Sequence, residues 1–220
     1  MATLDAIRTG YLNLDLGLDS DADDRFGDDD TRNLGLQDAI RRMWPRMAQL
    51  TTQTIAPTLD TTSYTLTSIR DVIRLELFDS DSNYLSEFGG NWRTRETLSA
   101  TAYTITLILP HAIDTSLSLV VTGYKPFTVP ASTPPASSGT HDIPDEFLWI
   151  VVAGARSFLY RRQMNKFAVF ERHRNESNKT YLTADQMLGM ANDAERMFQQ
   201  GVNDNRRKYT AVKRRATRSR

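Results

Sequence analysis

Residues 143–162, IPDEFLWIVVAGARSFLYRR, contain the longest apolar run of the chain, Phe147 to Ala155. Pro144 suits the first position of a helix, where no N–H is required, and Asp145 and Glu146 suit the positive end of the helix dipole. The pattern predicts a helix reaching at least Arg162, roughly 30 Å long. Phe147, Leu148, Trp149, Ile150, Val151, Val152, Ala153, Ala155, Phe158 and Leu159 make it apolar almost all round. Such a helix belongs at the centre of a bundle or beneath neighbouring subunits. The expectation is that residues 144–160 are covered by other copies of the chain, with Phe147, Trp149, Ile150 and Phe158 at the subunit interface.

Working outward, a basic stretch continues through Phe167, Val169 and Phe170. Thr183 then opens a last helix, with Gln186 completing a capping box. Met187, Met190, Ala191, Ala194, Met197 and Phe198 form its apolar stripe, and Gly201 weakens its end. On the N-terminal side, residues 126–142 hold four of the eight prolines together with Ser and Gly, and read as a stiffened linker.

Before that linker the period is two. Tyr64, Leu66 and Ile69 lead into Ile73-Arg74-Leu75-Glu76-Leu77, which alternates apolar and charged like a half-buried strand. Asp79 to Asn83 has turn composition. Residues 102–108 and 117–122 form a second strand pair, and Pro110 to Ser116 reads as their hairpin connection. Further upstream, Asp28, Asp29, Asp30 and Thr31 offer helix caps. Leu34, Ala39, Ile40, Met43, Trp44, Met47 and Leu50 recur at helical spacing, with Pro45 as a kink or break.

The order helix, strands, helices predicts an α+β fold: a helical bundle body with an inserted antiparallel β lobe, an extended acidic N-terminal segment and a basic C-terminal tail. The boundaries fall at 1–60 for the acidic segment and first helix, 61–127 for the β lobe and 128–142 for the Pro/Ser-rich linker. Residues 143–205 supply the C-terminal helices, and 206–220 the basic tail.

A formal net charge of zero hides a strong polarity. Nine aspartates (5, 15, 19, 21, 23, 24, 28, 29 and 30) face Arg8, Arg25 and Arg32 in the first 32 residues. At the other end Arg206, Arg207, Lys208, Lys213, Arg214, Arg215, Arg218 and Arg220 have no acid among them. Like charges at this density resist burial, so both ends read as interaction segments. Cysteine is absent, which excludes disulfides, thiolate metal sites and cysteine nucleophiles. No secretory signal is read at the N-terminus and no apolar run approaches bilayer length, so a soluble cytoplasmic product without a membrane partner is expected.

Chemistry-bearing patterns are sparse. His111, Asp114 and Ser116 have the composition of a nucleophilic triad, but crowd into one short link where triad geometry is hard to build. His141-Asp142 fits a capping neighbourhood better than a metal site. Asp19, Asp21, Asp23 and Asp30 fall at positions 1, 3, 5 and 12 of a calcium loop. Asp24, however, stands where that loop needs Gly, and Asp30 where it normally has Glu. There is no phosphate-cradling glycine loop. The expectation is a non-enzymatic chain without cofactor. The basic tail is the most specific polar signal. It suits nucleic-acid phosphate, an acidic groove on a protein partner or a purely solubilising role, and Tyr209 alone offers little for base stacking.

The ordered set of short motifs resembles the neck adaptors of tailed bacteriophages, also called head–tail connector or head-completion proteins. An acidic lead-in, Asp23 to Asp30, precedes a helix with Trp44. Tyr64-Thr65-Leu66 and Asp71-Val72-Ile73-Arg74-Leu75 follow. Trp92, Tyr103 and Leu119-Val120-Val121-Thr122-Gly123-Tyr124 come next, then a Pro-containing linker and Ile143-Pro144-Asp145-Glu146-Phe147. Where the family usually shows Leu-Pro after its first Tyr strand, this chain has Leu66-Thr67. The resemblance covers roughly residues 20–200. It implies a virion structural protein that forms a ring, typically a dodecamer, joining the portal protein to the tail or to a further neck protein. The ring would continue the channel for double-stranded DNA, assembling in the host cytoplasm and residing in the virion neck. Residues 206–220 are then the candidate contact with the portal or DNA. Alternative readings are another neck or tail component (a tail terminator or tail-tube gatekeeper) and a nucleic-acid-binding module that uses the basic tail.

Overall fold

A computed structural model describes residues 3–18, 26–89, 91–98, 103–130, 140–170 and 183–206. The fold is α+β with antiparallel sheets, and it divides into two compact units. One comprises residues up to Met47 together with Phe127–Arg206; the other, inserted between them in the chain, begins at Ala48 and runs to Pro126.

The helical unit starts earlier than its charge suggests. Helix α1 (Leu4–Ile7), a π-helical turn (Arg8–Leu12) and α2 (Asn13–Asp15) run in continuous succession. Thr3 caps the start by accepting the Ala6 N–H at 3.1 Å. Leu4, Ile7 and Leu12 are completely buried. The expectation of an extended acidic N-terminal segment is therefore corrected for residues 4–15. Their apolar positions recur at helical spacing, and this stripe outweighs the charge of Asp5 and Asp15. Helix α3 (Asp29–Met43) begins as expected, Asp28 accepting the Thr31 N–H at 2.9 Å.

Helix α3 stops before Pro45 rather than kinking at it. A residue that precedes proline is pushed out of the helical region, and Trp44 is extended, with ψ 142°. The Trp44–Pro45 peptide is cis. Leu50 consequently belongs to a strand, not to the helical stripe, and is exposed. Leu34 is also exposed, on the outer face of α3.

A 3-10 turn (Asp145–Phe147) leads into α4 (Leu148–Phe170), which absorbs the basic stretch expected as a separate helix. Helix α5 (Ala184–Asp204) carries the expected capping box: Gln186 N–H donates to Thr183 Oγ1 and Thr183 N–H to Gln186 Oε1. Met187, Ala191, Ala194 and Phe198 are buried, whereas Met197 is exposed. Helix α4 packs against α3, α5 and the N-terminal turns. Gly154 sits where the three long helices meet: a Cβ there would lie 2.7 Å from Ala39 Cβ and 2.8 Å from Phe198 Cδ2. Gly201 does not end α5. A Cβ at that position would meet the Trp149 ring at 2.6 Å and Ile150 at 2.8 Å, so the glycine lets the two helices close.

Among the described residues the inserted unit has seven strands. A four-stranded sheet has the order β1 (Gln49–Ile55), β7 (Ser118–Lys125), β3 (Asp71–Phe78), β4 (Tyr84–Glu87). A three-stranded sheet has the order β2 (Ser63–Leu66), β6 (Tyr103–Ile108), β5 (Arg93–Leu98). Every pairing is antiparallel. Tyr64, Leu66, Ile105 and Leu107 of one sheet share a single apolar core with Val72, Leu75, Leu119 and Val121 of the other. The unit begins at residue 48, not 61, because β1 is a strand. The expected hairpin between β6 and β7 is also corrected. The two strands lie in different sheets, and Leu109 and Ile113 of their connection are buried in the shared core. Gly123 faces the bulge between Val72 and Arg74; a Cβ there would lie 2.5 Å from the Asp71 carbonyl oxygen.

Candidate functional site

In the helical unit, an open cleft of about 480 Å³ is lined by Asp38 and Arg42 of α3 and by Ser157, Phe158, Arg161, Arg162 and Asn165 of α4. Phe158, Arg161, Arg162 and Asn165 share one helix face by their spacing of three and four. Opposite them, Asp38 and Arg42 stand one turn apart.

Arg42 is fixed in place. It pairs with Glu195 of α5, reaches Asp38 at 3.5 Å, and its guanidinium lies 4.6 Å from the Phe198 ring centroid. Glu195 also accepts bonds from the Ser157 hydroxyl at 3.0 Å and the Gln199 amide at 2.8 Å. Burial pushes the Glu195 carboxyl up, but the bonds from Arg42, Gln199 and Ser157 together hold it below its ordinary value. One wall of the cleft is thus a locked ion-pair network. Its other cations differ: Arg161 and Arg162 are exposed and make no ion pair or hydrogen bond through their side chains among the described residues. Among the described residues, the unit's other helix arginines are engaged, and so is Arg46 just after α3. Arg8 pairs with Asp5 and Asp29, Arg32 with Asp29, Arg156 with Asp15 and Arg196 with Asp193, while Arg41 and Arg46 bond to amide side chains.

The residues expected at a subunit interface separate into three classes. Ile150 is completely buried within its own chain and is corrected: it faces Gly201 and cannot meet another copy. Phe147 and Phe158 are half-buried against the chain's own core. Trp149 is 47% exposed, one edge of its ring seated on Gly201. The expectation that residues 144–160 need neighbouring copies to cover them is overturned for most of the helix, because the chain's own α3, α5 and N-terminal turns do so.

Of the calcium pattern, Asp30 is an exposed first-turn residue of α3, and Asp19, Asp21 and Asp23 lie outside the described residues. Among the described residues no three His, Asp or Glu side chains cluster as a metal site. Arg206 is exposed just beyond α5; Arg207, Lys208, Lys213, Arg214, Arg215, Arg218 and Arg220 lie outside the described residues. Asp114 accepts both the backbone N–H and the hydroxyl of Ser116, at 2.8 and 2.9 Å, whereas His111 lies against Phe88. The triad-like composition is therefore a turn. The backbone bond from Ser116, then the hydroxyl bond, holds the Asp114 carboxyl below its usual value.

His141 is buried, and its Nδ1 accepts the Ile143 N–H at 3.1 Å, directly before α4. Burial lowers its pKa against the opposing pull of Asp145 and Asp142. Sequence reasoning missed the cleft itself, because its cations come from two helices with no local signature. The basic run Arg161-Arg162 was the one available signal. Among the described residues, no helix is long and apolar enough to cross a membrane. No family model matches the chain, and no curated protein matches it.

Proposed function

We propose that this chain is a non-enzymatic structural subunit, an adaptor that joins the portal of a phage capsid to the tail and continues the DNA channel. The observation that carries the reading is the order of the resembling motifs and the elements they fall on. Asp28 to Asp30 start α3, Tyr64-Thr65-Leu66 falls in β2, Asp71 to Leu75 in β3, and Leu119 to Tyr124 in β7. Ile143 to Phe147 leads into α4. A helical bundle body interrupted by a β lobe suits a part that touches different neighbours with different lobes. Burial of α4 within the chain removes one argument for a ring but leaves Trp149 exposed, an aromatic of the helix free to meet a second copy. The basic end, from Arg206 on, supplies the candidate portal or DNA contact.

The deciding experiment is electron microscopy of the full-length protein mixed with its portal. Rings seated on the portal, lost in a Trp149→Glu variant that remains folded, are expected. A protein that ignores the portal and binds duplex DNA tightly in the free state would overturn the proposal.

A further inference from the structure

We infer that the cleft between α3 and α4 is a docking site for an acidic segment of a partner protein, whose carboxylates pair with Arg161 and Arg162. Among the described residues, three guanidinium groups line the cleft against the single carboxylate of Asp38. Arg42 is already satisfied by Asp38 and Glu195. The binding capacity therefore resides in Arg161 and Arg162, which stand solvated and, among the described residues, unpaired while the other helix arginines of the unit are engaged.

Three features select carboxylates on a protein segment. A guanidinium forks two parallel N–H donors toward one carboxylate. Neighbouring helix positions diverge by about 100°, which suits two separated carboxylates better than one compact phosphate. Phe158, half-buried, offers apolar surface, and Asn165 an amide that can bond a peptide backbone. Nucleic acid fits less well, because a duplex carries one charge per about 1.7 Å of axis and two arginines would leave most of that charge unmatched. A cleft of about 480 Å³ lies within the size range of specific binding sites, roughly 300–1,000 Å³.

The inference stands apart from the adaptor reading, since docking is measured on the free chain and ring formation on the mixture with portal. The probe is an end-capped peptide of alternating glutamate and leucine, titrated into the full-length protein by calorimetry at low salt, where the Debye length is longest. The variant Arg161→Glu/Arg162→Glu should weaken binding by roughly tenfold or more for each lost pair. Arg161→Gln/Arg162→Gln should fall between that variant and the parent. Arg196→Glu, and a matched Arg214→Glu/Arg215→Glu swap in the basic end, should leave most of the affinity intact. Circular dichroism confirms that the exposed-site variants stay folded. The inference is overturned if the peptide does not bind, or if the basic-end swap weakens binding as much as the cleft swap. It is equally overturned if inorganic phosphate or a short duplex displaces the peptide from the same two arginines at comparable concentration.

Discussion

Gly154→Ala is the sharpest test of the helical unit, because two effects of opposite sign meet in one methyl group. Alanine in mid-helix is favoured over glycine by about 0.8–1.0 kcal/mol. The added carbon, however, would stand 2.7 Å from Ala39 Cβ and 2.8 and 3.0 Å from two Phe198 ring atoms. Carbon atoms pack best at about 3.5–4.0 Å, so each contact falls short by roughly 1 Å. Ala39 Cβ has no rotamer to change. Phe198 is 1% exposed and carries the Arg42 guanidinium over its ring, so its freedom is small too. The helices must therefore separate, at an overpacking cost near the upper end of about 1–3 kcal/mol.

Net destabilisation of about 1–2 kcal/mol is expected once the propensity gain is set against that cost. Gly189, also within α5, has no atom within 4 Å of the position its methyl would take, so Gly189→Ala should stabilise by about 0.8–1.0 kcal/mol. Urea unfolding followed by far-UV circular dichroism reads both variants on one axis. A second change, Ala39→Gly, should cost less in the Gly154→Ala background than in the parent, a coupling of about 0.5 kcal/mol or more. If Gly154→Ala raised the unfolding midpoint as Gly189→Ala does, the close meeting of α3, α4 and α5 would be wrong.

Three further outcomes are expected. Because the folded His141 pKa lies below its unfolded value of 6.5, the unfolded chain takes up the proton first. Stability is then fullest above about pH 6.5 and falls as pH drops below it, and His141→Asn, which keeps an acceptor for the Ile143 N–H, should flatten that slope in chemical denaturation. Asp29→Asn weakens the ion pairs that Asp29 makes with the buried Arg32 and Arg8 and should cost about 1.5–3 kcal/mol, whereas Asp193→Asn, from an exposed pair, should cost under about 0.5 kcal/mol in the same urea series. Glu195→Gln should cost about 1.5–3 kcal/mol by weakening its bonds to Arg42 and Ser157. It should also remove the loss of stability that the parent shows as pH falls from the ordinary carboxyl value of 4.5 through the lowered folded one.

The elements with strong period were legible. Asp28 capped α3, Thr183 and Gln186 closed their box, and the alternation across 73–77 fell within β3. The elements that escaped lacked such a signal. Gln49–Ile55 carries three threonines and little apolar alternation, and its pairing with β7 comes from a strand far along the chain. Arg93–Leu98 is a sheet edge whose residues from Arg93 to Thr97 are exposed, so it carries no apolar alternation to mark it as a strand. The cleft was half-legible: Arg161 and Arg162 stood in the sequence as a basic break in an apolar run, while Asp38, Arg42 and Glu195 reached it only through tertiary packing.

The composition of α4 explains why its expected cover differs from the observed one. Ten apolar residues within thirteen positions establish that the helix must be covered, but not by what. The answer depends on how many other surfaces the chain itself can bring, and two were hidden. The N-terminal turns looked acidic although Leu4, Ile7 and Leu12 form an apolar stripe. Gly201 looked like a weak point, although it and Gly154 each admit a neighbouring helix at a distance that a side chain would forbid. With three elements closing on it, α4 keeps only a partial outward surface, and Trp149 is its largest apolar member among the described side chains. If the proposed ring forms, small patches such as Trp149, rather than a shared apolar core, join its copies. Such contacts are weak one at a time and gain strength when a template holds many copies in register. The free chain should therefore sediment as a monomer in moderate salt, and a stable ring in the absence of portal would contradict this account.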